Sequence, residues 1–144
     1  MAETIKVLAV DDDQDFLDAF AERMQIHGLS VTKATSGIEA LSKAEEQTFD
    51  AVILDMAMPQ MDGIDTLKRL RKINPDLQVI LLTGHATIDK SVEAIKLGAI
   101  DFLEKPAEID AVMDRIKAAK FARMLLVEKK TEERIKKIIS DKGW

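Results

Sequence analysis

Five short apolar runs alternate with segments of helical spacing, and this alternation restricts the fold more than any other feature of the chain. The runs are residues 5–10, 30–34, 50–54, 77–82 and 99–103. Residues 79–82, Val-Ile-Leu-Leu, are apolar without a break, as in a strand covered on both faces. Between the runs lie helical stripes. Phe16, Leu17, Phe20 and Met24 form the first, ended by His27-Gly28. Ser36-Gly37-Ile38-Glu39 reads as a capping box opening the second. Ile64, Leu67, Leu70 and Ile73 mark the third, which stops at Asn74-Pro75. Thr87 is placed to cap a fourth that Gly98 ends, and a fifth is expected just after Pro106. Fivefold strand–helix alternation predicts an α/β, doubly wound, five-stranded parallel sheet with right-handed crossovers and helices on both faces.

All strands of such a sheet point their carboxyl ends to one edge, where open α/β sheets bind ligands. That edge receives Asp11 and Asp12 from the first strand, Asp55 from the third, Thr83 from the fourth and Lys105 from the fifth. If the first and third strands adjoin, three carboxylates crowd one small site. Such crowding is costly unless a metal or a proton neutralises it. Asp13 reads as the cap of the first helix, and Asp62, beside Gly63, as a turn residue.

Composition closes off several chemistries. The chain has 144 residues, 47% apolar and 33% charged, enough for one packed domain and a short appendage. It contains no cysteine, which removes disulfides, thiolate catalysis and cysteine-ligated zinc. No apolar run approaches the roughly 20 residues that cross a bilayer, and the segment after Met1 lacks the basic and apolar regions of a secretory signal. A cytoplasmic location is the expectation. Residues 120–144 hold eight basic and four acidic residues, while the remainder holds 13 basic and 22 acidic. The mixed tail, without a helix-turn-helix pattern, argues against direct nucleic-acid binding. From Ala107 to Lys142 there is no glycine or proline. Two readings stay open for that stretch: one long helix, or two broken near Lys130 with Thr131 capping the second. Positions 121, 124, 128, 131, 135 and 138 give Phe, Met, Glu, Thr, Ile and Ile, a poor coiled-coil seam.

Four ordered motifs carry a resemblance. They are Val10-Asp11-Asp12-Asp13, the stretch from Leu54-Asp55 through Met58-Pro59 to Met61-Asp62-Gly63, Leu82-Thr83-Gly84, and Asp101-Phe102-Leu103-Glu104-Lys105-Pro106. Together they resemble the receiver domain of two-component response regulators, over about residues 4–119. The resemblance implies a flavodoxin-like strand order 2-1-3-4-5, a receiver domain at 1–119 and a helical extension or linker at 120–144. It implies that Asp55 is the phosphorylated nucleophile and also touches Mg²⁺. Asp12 is then a direct ligand, Asp11 acts mostly through water, and the Ala57 carbonyl supplies another ligand. Lys105 offers charge to the phosphoryl oxygens and Thr83 a hydroxyl. The bond before Pro106 is expected to be cis. Thr83 and Phe102 form the switch that repacks the face of the fourth helix, fifth strand and fifth helix. Ala57 and His85 influence how fast the phosphate is lost.

The implied partners are a sensor histidine kinase or phosphotransfer protein and a downstream protein target, with homodimerisation through the switch face or the C-terminal helix left open. No membrane partner is implied. The chain is then a phospho-acceptor rather than an enzyme with a separate substrate. The competing reading is a phosphorylation-independent interaction module, which normally lacks one of the acids, the threonine or the lysine; all are present here. An aspartate-nucleophile phosphatase needs an acid two residues after the nucleophile, where Ala57 stands. A nucleotide-binding domain needs a glycine-rich loop where Asp11-Asp12-Asp13 stands. Residues 120–144 are too few for an effector module, leaving a single-domain regulator or a piece of a longer one.

Overall fold

A computed structural model describes residues 4–58, 61–84 and 88–141, with side chains of 88–91 left aside. Ten elements alternate: β1 Lys6–Val10, α1 Gln14–Ile26, β2 Ser30–Ala34, α2 Gly37–Glu46, β3 Ala51–Leu54, α3 Gly63–Ile73, β4 Val79–Thr83, α4 Ile88–Lys96, β5 Asp101–Glu104 and α5 Ile109–Asp141. The strands form one parallel sheet in the order β2-β1-β3-β4-β5, as expected.

Strand alternation divides the core in two. Leu8, Val10, Val52, Leu54, Val79 and Leu81 point to the face covered by α2, α3 and Ala94 of α4. Val7, Ala9, Ala51, Ile53, Ile80 and Leu82 point to the face covered by α1 and the first turns of α5. The period of two in the strands and the helical stripes therefore serve both faces. Gly28 and Gly98 adopt φ of +88° and +107°, the left-handed conformation expected of residues that end α1 and α4.

Local details depart from the sequence reading in three places. Asp62 is the N-cap of α3, its carboxylate accepting from the Asp65 N–H at 2.9 Å, rather than a simple turn residue. In the α2 box, Ser36 accepts from the Glu39 N–H at 3.1 Å, but Glu39 reaches back to the N–H and hydroxyl of Thr35 instead of Ser36. The fifth helix starts at Ile109, not directly after Pro106, and the Val112 N–H donates to the Glu108 carbonyl. The expected Thr87 cap lies outside the described residues.

The alternatives for the tail resolve to one helix of 33 residues, about 50 Å long. The Thr131 hydroxyl donates to the Val127 carbonyl at 3.0 Å, a bond inside a continuing helix rather than a cap. Ala119 is the last fully buried residue of α5. Beyond it two ion pairs tie the helix to the amino edge of the sheet. Arg123 meets Asp50 at 3.1 Å, and Lys130 meets Asp76 at 2.6 Å. Asp50 also accepts from the Lys6 N–H at 2.9 Å. Arg123→Met is expected to cost about 1 kcal/mol and to speed amide exchange across residues 124–141, read by hydrogen–deuterium exchange. Unchanged exchange there would show that the pair does not hold the extension. No helix among the described residues is long and apolar enough to cross a membrane.

Candidate functional site

Register builds the site. Val10 and Leu54 are partners in the β1–β3 ladder, so Asp11 and Asp55, the next residues, emerge side by side. The Asp11 N–H donates to the Ala34 carbonyl and the Asp55 N–H to the Val10 carbonyl, which carries the sheet pairing one step past each strand. Both aspartates are buried, at 3% and 5% exposure, whereas Asp12 is exposed. Carboxylate oxygens of Asp11, Asp12 and Asp55 lie within 4.8 Å of one another.

The other two predicted residues arrive from β4 and β5. Thr83 ends β4 fully buried and pairs in register with Glu104. The Lys105 N–H donates to the Thr83 carbonyl at 3.0 Å, which sets the start of the lysine at the same edge. The Lys105–Pro106 bond is cis, as the resemblance implied. The Lys105 ammonium donates to Asp11 Oδ2 at 2.5 Å, and the Asp13 N–H donates to Asp11 Oδ1 at 2.9 Å. Asp13 meanwhile caps α1, accepting from the Phe16 N–H at 3.1 Å.

Burial pushes the Asp11 carboxyl above the usual aspartate range, and the negative charge of Asp55 pushes the same way. The Lys105 ammonium and the Asp13 N–H oppose that shift without cancelling it. The Asp11 carboxylate is thus held mainly against the cost of burial, with the Asp55 charge a smaller addition. A hard divalent cation with oxygen preference fits such a donor set, because it relieves both desolvation and repulsion.

The loop after β3 shapes one wall. The Ala57 N–H points to Asp55 Oδ1 at 3.4 Å, and Ala57 itself is exposed. Met56 and Met58 on either side are buried. A Cβ on Gly63 would lie 2.5 Å from Met56 Cα and 2.6 Å from the Asp55 carbonyl oxygen, so only glycine lets α3 begin this close to the loop. Phe102 is half-buried and packs on the α2–α3 side of the sheet, away from Lys105. His85 lies outside the described residues.

One neighbour escaped the sequence reading except as part of the α1 stripe. The Lys105 ammonium sits 3.8 Å from the centroid of the Phe16 ring. Its position in the first turn of α1, just past the acids, was the available signal. The partner residue is 89 positions away in sequence, so local pattern alone did not point to it.

Residues 7–117 match the family model of the response regulator receiver domain. The chain belongs to that family: it is a receiver domain of the kind found in two-component signalling. It is 37% identical over 117 residues to the transcriptional regulatory protein ZraR of Escherichia coli K12, covering 81% of this chain and 26% of ZraR. The chain thus spans about a quarter of that relative's length. A response regulator receiver domain from Clostridium thermocellum superposes with a TM-score of 0.81 at 35% identity, over 85% of this chain and 98% of that one. A response regulator from Burkholderia pseudomallei, solved with a phosphorylated aspartic acid and a calcium ion, matches with a TM-score of 0.75 at 25% identity, over 96% and 86% of the two chains.

Proposed function

We propose that Asp55 accepts a phosphoryl group from a phosphohistidine on a sensor kinase or phosphotransfer protein, and that the phosphate switches a protein-binding face. The carrying observation is the meeting of three carboxylates within 4.8 Å beside the Lys105 ammonium, drawn from three strands. The Burkholderia relative, solved with a phosphorylated aspartic acid and a calcium ion, supports the same reading.

In the transfer, a carboxylate oxygen of Asp55 forms a bond to phosphorus as the P–N bond breaks, and the imidazole leaves with the electron pair. Asp11, Asp12, Asp55 and the Ala57 carbonyl are the residues that would hold Mg²⁺. When bound, Mg²⁺ would supply neutralising charge between these acids and the donor's phosphoryl oxygens. Lys105 leaves Asp11 to contact the phosphoryl oxygens, and the Thr83 hydroxyl turns to donate to them. Only interactions that differ between the two states shift their balance, and these two contacts provide the difference. Phe102 follows Thr83 by changing its packing, while Ala57 and His85 govern the approach of water to the acyl phosphate. Turnover is confined to the domain's own phosphorylation and dephosphorylation.

In this reading the receiver covers 1–119 and the extension 120–144, in a cytoplasmic protein. A downstream protein or a second copy has two surfaces to meet. One is the α4–β5–α5 face, where Val92, Ile95 and Ile100 are exposed; the other is the extension, where Phe121, Met124 and Leu125 are exposed.

The metal part has its own test. At Mg²⁺ a hundredfold above its dissociation constant, binding linkage gives about 2.7 kcal/mol, or roughly 5–10 °C in Tm for a chain of this size. Asp12→Asn is expected to remove most of that rise in a thermal melt. An equal rise in the variant would contradict the ligand set. Incubation with acetyl phosphate and Mg²⁺ tests the whole reading: base-labile phosphate on the protein supports it, and none at any donor concentration removes it.

A further inference from the structure

Lys105 is held by two groups of different kinds. One is the Asp11 carboxylate, at 2.5 Å, and the other is the face of the Phe16 ring, at 3.8 Å from its centroid. The ring is itself fixed. Phe16 and Phe20 stack one helical turn apart, with centroids 5.7 Å apart and planes inclined by 20°, and Phe20 is buried at 8% exposure. Around them Leu82, Pro106, Ala107 and Val112 line a largely apolar cavity of about 230 Å³ between α1 and the start of α5. The Lys105 side chain is only 22% exposed. That raises the value of a cation–π contact above what it has at an open surface.

We propose that Phe16 is a positioning residue for phosphoryl transfer, acting through Lys105. The inference rests on the phospho-acceptor reading and adds a component to it. Phosphate on Asp55 and a cation among the acids both require the ammonium to give up Asp11. A second carboxylate in the place of Phe16 would hold the lysine back by a full charge and would itself compete for the cation. A neutral π face does neither. It attracts the ammonium strongly enough to keep it at the sheet edge when Asp11 is withdrawn, and weakly enough to let it lean to the phosphoryl oxygens. Phe16 therefore keeps the lysine in reach during the exchange of partners, so that less side-chain freedom has to be lost at the moment of transfer.

The test uses the whole chain, acetyl phosphate as donor and Mg²⁺, so that no kinase contact enters. Phe16→Leu is expected to slow phosphorylation of Asp55 by roughly 3- to 30-fold, the span of one cation–π contact. Phe16→Trp, with the better π donor, is expected to stay within about twofold of wild type. Mono-, di- and trifluorinated phenylalanine at position 16 change size little and drain the ring face progressively, so the rate falls stepwise along the series. In a Lys105→Met background, Phe16→Leu is expected to make no further difference.

A readout independent of phosphate completes the set. The Lys105 ε-methylene resonance is shifted upfield by the ring in the wild type and returns to an ordinary position in Phe16→Leu. A wild-type rate for Phe16→Leu, a flat fluorine series, or an undiminished loss in the Lys105→Met background would each overturn the proposal. If the wild type takes up no phosphate, the phospho-acceptor reading fails and this inference with it. If the wild type is labelled and only the ring series is flat, Phe16 alone is refuted.

Discussion

Asp55→Asn is expected to abolish phosphate uptake from acetyl phosphate, a loss beyond about a thousandfold, while the chain stays folded. Asparagine keeps the shape of the side chain and removes the anionic oxygen that attacks phosphorus. Structure should tolerate the change well. Asp55 is buried beside Asp11, and its charge is one of the forces raising the Asp11 carboxyl. Removing that charge relieves repulsion, so Tm is expected to hold or rise by a few degrees. Loss of activity with an unchanged or higher Tm is thus the combined signature, read by acid-stable labelling and a thermal melt. Residual labelling near the wild-type rate would assign the nucleophile to Asp11, Asp12 or another group.

The second large effect concerns the backbone beneath the site. Gly63→Ala is expected to destabilise by about 3 kcal/mol, the upper part of the cost of overpacking. Its new methyl would meet Met56 Cα at 2.5 Å and the Asp55 carbonyl oxygen at 2.6 Å, both backbone atoms that yield only if the loop moves. The Gly63 N–H also donates to the Met56 carbonyl at 2.9 Å, which ties the start of α3 to that loop. Moving the loop displaces the attacking oxygen, so phosphorylation should slow as well.

Gly37→Ala is the control of similar apparent severity. There the nearest atoms are Thr66 Oγ1 at 2.3 Å and Met61 Sδ at 2.9 Å, both on side chains. Met61 can swing aside, and Thr66 can rotate at the expense of its bond to the Asp62 carbonyl. About 1 kcal/mol is expected, with phosphorylation little changed. Chemical denaturation of the two variants decides the matter. Equal losses would mean that the backbone near Asp55 gives more easily than its packing implies.

The sheet order was legible because buried parallel strands and amphipathic helices carry different periods, and each run here kept its own. The acids were legible for a related reason: a polar residue directly after a buried strand marks the carboxyl edge of the sheet. The meeting of Asp11, Asp12 and Asp55 needed only β1 and β3 to adjoin, and the observed register puts Val10 opposite Leu54.

Part of what escaped was set by contacts distant in sequence, and part by local caps whose partners the pattern misassigned. For the polar stretch 128–134 a single helix and a break near Lys130 both stayed open from sequence; nothing in it terminates a helix, and Lys130 finds Asp76 on the body. The Phe16 ring appeared as one member of an apolar stripe because its lysine lies on another strand's end. The role of Asp62 was misjudged from the neighbouring glycine, although Asp followed three residues later by another acid is also a helix start. In the α2 box the glutamate reached one residue further back than the pattern specifies, a choice made by the Thr35 hydroxyl.

The sharpest test of the central claim is chemical trapping of the phosphorylated residue. The chain is loaded with acetyl phosphate and Mg²⁺, reduced with borohydride, which converts an acyl phosphate on aspartate to homoserine, and sequenced by peptide mass spectrometry. Homoserine at position 55 alone is the result this account predicts. Homoserine at position 11 or 12, or none from a protein that carries label, would contradict it.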